Sequence, residues 1–208
     1  MVECFGASLP QVGHTSNEDA FVIGRDPVPY AAVFDGTGMA EKSAQVAARN
    51  FKHQIKDQQE KVADPLAWTS WVKLMDSHLL GMAQSTFVGV AVTNEATGSV
   101  VGAYAGDSRA YVFGGKGTTL LTPSNSPRRL GSGLVKPGTF TWTLDRYDIL
   151  LLMSDGAWTP LGSPYLMRKT VMGAVGRHFS DVPQAILDAA QRTGRWDDMT
   201  VVALRCRV

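Results

Sequence analysis

Short apolar runs bounded by Gly, Pro, Asn or Asp constrain this chain more than any other feature. Runs of this kind, rich in β-branched and aromatic residues, read as strands. They fall near residues 3–8, 20–24, 30–34, 86–93, 100–105, 109–113, 118–121, 140–144, 149–153 and 199–207. Helical periodicity appears only between and after them. The stretch 41–57 places Ala44, Ala47, Ala48, Phe51 and Ile55 on one face, and 65–82 does the same with Trp68, Trp71, Met75 and Leu79. Apolar stripes at that spacing face a core, so the Trp and Met residues are expected to be packing residues. Two later helices are expected over 164–177 and 182–193. Strands and helix pairs arriving in blocks, without strict alternation, predict an α+β fold of antiparallel sheets covered by helices.

Neither a composition shift nor a low-complexity tract interrupts the 208 residues, and one domain over 1–208 is expected. Lys and Arg total 20 against 19 Asp and Glu, giving a net charge of +1. No broad field is available to draw the chain onto nucleic acid or an anionic membrane, and neither is an expected partner. Cys4 and Cys206 lie near opposite ends with no CxxC pair. That pattern fits small core residues of a reduced protein better than a disulfide or zinc framework. The opening MVECFGASLPQ has no basic stretch followed by an apolar one, and no run approaches the roughly 18 apolar residues of a membrane span, so the cytoplasm is the expected location.

Carboxylates gather at the strand ends. Glu18 and Asp19 precede AFVIG, Asp35 follows YAAVF, Asp155 follows ILLLMS, and Asp197 with Asp198 precedes MTVVALR. In an antiparallel pair the C-terminal end of one strand lies beside the N-terminal end of its neighbour. A hairpin of the second and third strands therefore brings Glu18 and Asp19 to Asp35, and pairing of the last two strands brings Asp155 to Asp197. Each aspartate alone is also an ordinary turn residue, favoured before Gly because it bonds the local backbone. Several acids at one edge repel, and a bound cation removes that repulsion. With no His or Cys at these positions, an all-oxygen set favours a hard ion, Mg²⁺ or Mn²⁺. Gly36 and Gly156 add room for a close backbone approach.

The segments NEDAF (17–21), AAVFDGTG (31–38), STFVGVAV (85–92), AYAGDSRAYVF (103–113), LLLMSDGAW (150–158) and DDMTVV (197–202) together resemble the type 2C, metal-dependent serine/threonine protein phosphatases of the PPM family. The resemblance implies a four-layer αββα sandwich, two antiparallel sheets flanked by helix pairs, with a dinuclear Mn²⁺ or Mg²⁺ site at one end. It implies that Asp35 bridges the ions, that the Gly36 carbonyl binds one of them, and that Asp155 and Asp197 complete the other. Glu18 would hold metal-bound water with Asp19 beside it, and Asp198 would support the set from behind. The implied reaction is hydrolysis of phosphoserine or phosphothreonine by a hydroxide held between the ions. The implied partner is a phosphorylated protein whose modification a Ser/Thr kinase supplies, and the chain is expected to act as a monomer. Asp107 and Arg109 of GDSR are expected to be residues of a tight turn.

Several positions depart from the family pattern. Where many members carry a phosphate-clamping arginine, four residues before the acid matched by Glu18, this chain has His14, which is taken as the candidate phosphate contact. Thr37 stands where eukaryotic members have a histidine proposed as general acid. Ser124 occupies the place expected to hold a further acid, so no third metal is expected. The segment after Asp155 is short, which leaves Arg128, Arg129 and Lys136 as candidate substrate contacts, or as solvated loop charges. A phosphate-loop NTPase is excluded, because in FGGKGTT a Gly follows the Lys where Ser or Thr is needed. The remaining alternative is a pseudophosphatase that keeps the fold and metals and binds a phosphoprotein.

Overall fold

A computed structural model of the chain describes residues 1–37, 43–115, 117–123, 128–194 and 197–207. Its strands form two antiparallel sheets. The first has the order β1 (Val2–Leu9), β12 (Met199–Cys206), β11 (Ile149–Met153), β8 (Arg109–Gly114), β9 (Gly117–Leu120). The second runs β10 (Gly138–Thr143), β7 (Ser99–Ala105), β6 (Phe87–Asn94), β3 (Tyr30–Phe34), β2 (Ala20–Gly24). Helices α1 (Ser43–Asp57) and α2 (Pro65–Leu79) cover the second sheet, and α4 (Pro164–Val175) and α5 (Val182–Gln191) cover the first. The expected αββα sandwich is the architecture found.

The side-chain alternation of strands explains why the central runs are apolar throughout. In β11, Leu150 and Leu152 point between the sheets, where they meet Val33, Val88, Val112 and Val202. Ile149, Leu151 and Met153 point to the other face and pack on Met167, Val171, Ile186 and Leu187 of α4 and α5. β3 divides likewise, with Phe34 turned toward Phe51, Trp68, Trp71 and Met75. The Trp and Met stripe is therefore core, as expected: Trp68 and Met75 are wholly buried and Trp71 nearly so. Both cysteines are unbridged, with Cys206 in the layer between the sheets and Cys4 packed at its margin.

Element ends differ from expectation where single residues decide them. α2 starts where Asp64 accepts a hydrogen bond from the Leu66 N–H and Pro65 takes the first helical position. It ends at Leu79 and does not run to residue 82, because Leu80 is already extended and Gly81 adopts φ +77°. The expected start of α1 at Glu41 and the Ser124 position lie outside the described residues. Two features were not expected: a ribbon of β4 (Gly36–Thr37) with β5 (Gln84–Ser85), and a one-turn helix α3 (Asp155–Trp158) directly after β11. Among the described residues, no helix is long and apolar enough to cross a membrane.

Candidate metal centre

The β2–β3 hairpin pairs Ala20 with Phe34, so Asp19 and Asp35 leave the same end of the second sheet. In the first sheet, β11 pairs Met153 with Val201, and the Ser154 N–H then donates to the Thr200 carbonyl at 3.0 Å. That places Asp155 beside Asp197 and Asp198. Glycine makes the approach possible, since a Cβ on Gly156 would stand 2.1 Å from the Asp198 carbonyl oxygen and 3.1 Å from the Asp197 Cβ. Both acid pairs reach one edge of the sandwich.

Asp35 is fixed through its backbone. Its N–H donates to the Thr86 hydroxyl at 3.1 Å, and its carbonyl accepts from the Thr86 N–H at 2.8 Å. The same hydroxyl lies 2.6 Å from that of Ser108, in the turn joining β7 to β8. This chain of contacts brings in Asp107. Gly106 of that turn has φ +88°, and a Cβ there would stand 2.8 Å from the Thr86 side chain. The carboxylates of Asp35, Asp107 and Asp155 thus offer oxygens that all lie within 4.8 Å of one another.

Burial and mutual repulsion set the electrostatics. Burial, with Asp19 and Asp155 nearby, pushes the Asp35 carboxyl up to about 9, against the pull of Arg129. Burial raises Asp19 to about 7, although hydrogen bonds from Ser154 and Thr200 favour its ionised form. Burial and then the charge of Asp107 raise Asp155. The Oδ2 atoms of Asp19 and Asp35 are both buried without a hydrogen-bond partner. A buried carboxylate oxygen left unpaired is costly unless a cation meets it. The described cation at hand is Arg129, whose guanidinium nitrogens lie 3.5 Å from an oxygen of Asp35 and 3.5 Å from one of Asp107. Hard oxygen donors, two of them buried and unpaired, fit a divalent ion such as Mg²⁺ or Mn²⁺.

The other expected residues divide into those at the cluster and those that support it. Gly36 is buried in the β4–β5 ribbon, and a Cβ on it would stand 2.6 Å from the Glu18 carbonyl oxygen. Glu18 is half-buried, and it is its backbone that packs here; its carboxylate is not in the three-acid group. Asp197 is exposed beside Asp155 and accepts from the Asp198 N–H. Asp198 is buried and accepts from the backbone N–H groups of Gln11 and Glu18 at 2.6 and 2.5 Å, so it clamps the arm that carries Glu18 and Asp19. His14 is exposed in a turn closed by its N–H to the Gln11 carbonyl. The Thr37 hydroxyl donates to the Gln84 carbonyl across the ribbon at 3.2 Å. Asp107 was expected to serve its turn alone and instead joins the cluster. The signal was available: one residue separates it from the end of the β7 run, just as one separates Asp155 from the end of β11.

Comparison with known families agrees with this geometry. The family model "Stage II sporulation protein E (SpoIIE)" matches residues 35–207, from Asp35 to just past the end of β12. The chain belongs to the SpoIIE family of PPM-type phosphatase domains. No curated protein sequence matches it. Among solved structures, this SpoIIE-family chain resembles a bacterial serine phosphatase at TM-score 0.85 and 18% identity, covering 99% of this chain and 98% of that one. It also resembles the catalytic domain of the serine/threonine phosphatase PstP in complex with 2 manganese ions, at TM-score 0.81 and 19% identity over 98% and 97% of the two chains. The phosphatase Stp1 of Staphylococcus aureus matches at TM-score 0.82 and 19% identity, over 98% and 94%. At such identities these structures share the fold.

Proposed function

We propose that the chain is a metal-dependent protein serine/threonine phosphatase, a single catalytic domain acting as a monomer in the cytoplasm on phosphoproteins made by a Ser/Thr kinase. The observation that carries this reading is the convergence of Asp35, Asp107 and Asp155 at the edge of the sandwich, with unpaired buried oxygens on Asp35 and Asp19. Asp35, Asp155 and Asp197, with the Gly36 carbonyl, would hold two Mn²⁺ or Mg²⁺ ions, and Glu18 and Asp19 would orient water around them. Bound there, such ions supply a hydroxide at neutral pH and draw charge from the phosphoryl oxygens. Asp198 and the Thr86–Ser108 pair hold the acids in place by binding backbone and turn.

The residues present also argue against a covalent route through cysteine. Burial pushes the Cys4 thiol up to about 12 and raises Cys206, so neither forms a thiolate nucleophile at neutral pH. The Thr37 hydroxyl donates to the Gln84 carbonyl, and an aliphatic hydroxyl is a poor acid at neutral pH, so Thr37 does not replace the histidine as general acid. That commitment, together with an exposed His14, favours a second reading, a pseudophosphatase that binds metal and phosphoprotein without turnover.

The two readings separate in one assay. Mn²⁺-dependent phosphate release is measured from a phosphothreonine peptide and from p-nitrophenyl phosphate. The wild type is expected to turn both over, and Asp155→Ala and Asp35→Asn to lose on the order of 10²-fold or more in kcat/KM. Release that is absent in wild type, or unchanged in both variants, overturns the enzymatic reading.

A further inference from the structure

We infer that Arg129 is the phosphate-binding cation of this site, entering from the β9–β10 loop in place of an arginine on the N-terminal arm; the inference rests on the phosphatase reading. A phosphate dianion approaching Asp35, Asp107 and Asp155 meets like charge, so a cation is needed beside the metals where the anion docks. Arg129 stands there: its guanidinium reaches across Asp35 and Asp107 at 3.5 Å each, and its side chain is 22% exposed. Among the described residues, those two long contacts are its ion pairs, and the guanidinium presents five N–H donors in a planar fork that matches two phosphate oxygens.

The loop is built to hold that position. The neighbouring Leu130 is wholly buried and pairs with Ser85 through both backbone bonds, at 2.8 and 3.1 Å. Ser85 is the partner of Gly36 in the β4–β5 ribbon, so Arg129 is keyed to the same strand end as Asp35. On its other side, the N–H groups of Gly131 and Gly133 donate to one oxygen of the buried Asp76 of α2, at 2.7 and 3.1 Å. Gly131 has φ +86°, and a Cβ there would stand 2.6 Å from the Ala83 carbonyl. A side chain mounted on so anchored a loop loses little further freedom on binding.

Other basic residues near the site are otherwise engaged. Arg109 stacks on the Trp158 ring at 3.3 Å and donates to the Tyr111 hydroxyl. Arg128 donates to the Leu134 carbonyl within its own loop. His14 is exposed in its turn, and imidazole lacks the two parallel donors.

The test uses the full chain loaded with Mn²⁺. Arg129→Ala is expected to raise KM for the phosphothreonine peptide and the inhibition constant of inorganic phosphate together, by about 10–100-fold, with kcat changed much less. Arg129→Lys should recover part of the loss, since it restores charge without the fork. Mn²⁺ affinity by calorimetry is expected to hold or tighten in Arg129→Ala, because a cation leaves the carboxylates. Unchanged KM and phosphate inhibition overturn the inference, as does loss of Mn²⁺ binding, which would make Arg129 a prop for the acids. Should the wild type release no phosphate, the phosphatase reading fails by itself. Calorimetric titration of inorganic phosphate into the Mn²⁺-loaded protein then still decides for Arg129: weaker binding in Arg129→Ala supports it, and equal binding overturns it.

Discussion

Asp198 shows how one side chain can govern a site from outside it. Its two oxygens accept the backbone N–H groups of Gln11 and Glu18, and these are the bonds that fold the N-terminal arm down onto the acids. Bonds from N–H groups to a buried carboxylate are among the stronger ones, worth about 1.5–3 kcal/mol each. Asp198→Ala would leave both donors unpaired and free the arm. The expected outcome is a loss of about 2–4 kcal/mol in urea unfolding, below the sum of the two bonds because both contacts are only part-buried and the freed N–H groups regain water, and about 10-fold or more in Mn²⁺ affinity by calorimetry. An unchanged metal affinity would show that the arm does not orient ligands. At this scale the sequence was legible where an acid abuts an apolar run, as with Asp35 and Asp155. Asp107 obeys the same rule, but GDS is also what a tight hairpin turn requires, and the turn explanation sufficed without the cluster. Arg129 stood in the sequence only as one of three candidate loop cations, because what fixes its position is the pairing of its neighbours Leu130 and Gly131 with Ser85 and Asp76, both distant in sequence.

Elements divide by whether they carry their own pattern. Among the described residues, the ten longer strands and four longer helices were readable because burial on one or both faces imprints a period or an apolar run. The β4–β5 ribbon and α3 are too short to imprint either, and tertiary contacts determine them: Leu130 pairing on Ser85, and Gly156 against Asp198. Helix α2 stabilises the layer behind the site. Trp68 is wholly buried, its ring centroid lies 5.7 Å from Phe51 and 5.3 Å from Trp71, and its indole N–H donates to the Val62 carbonyl at 2.8 Å. Trp68→Ala removes that packing and leaves a buried acceptor unpaired, and about 3–5 kcal/mol of stability should be lost in urea unfolding. Since Trp68 touches none of the acids, Mn²⁺ affinity of the folded variant should stay within about 3-fold of wild type. A large drop in affinity at full folding would instead mean that helix packing tunes the site.

For the whole molecule, the clustered acids make stability, pH and metal a single linked system. Asp19 and Asp35 have folded-state values raised to about 7 and about 9, and Asp155 is raised as well. Between the ordinary carboxylate range and those values, the folded chain binds more protons than the unfolded one. Stability from these groups is therefore fully present below the unfolded pKa and is lost as pH rises through the folded values. Glu3 acts in the opposite sense. Partial burial pushes it up, but hydrogen bonds from Arg205 and Arg207, both at 2.6 Å, outweigh burial and hold it below its ordinary value. Its contribution is lost only as pH falls through that lower value, so it is constant across the window in which the site acids titrate. With a chelator present, Tm is expected to fall steadily from pH 5 to pH 9. Added Mn²⁺ should raise Tm, and by more at pH 8 than at pH 6, because a cation binds the ionised carboxylates and displaces protons from them at the lower pH. The substitution Asp35→Asn removes the group with the highest value, and should flatten the chelated profile at its alkaline end while abolishing most of the Mn²⁺ shift. A chelated Tm that rises toward pH 8, or an equal Mn²⁺ shift at both pH values, would mean that the acids are ionised and separately compensated in the fold.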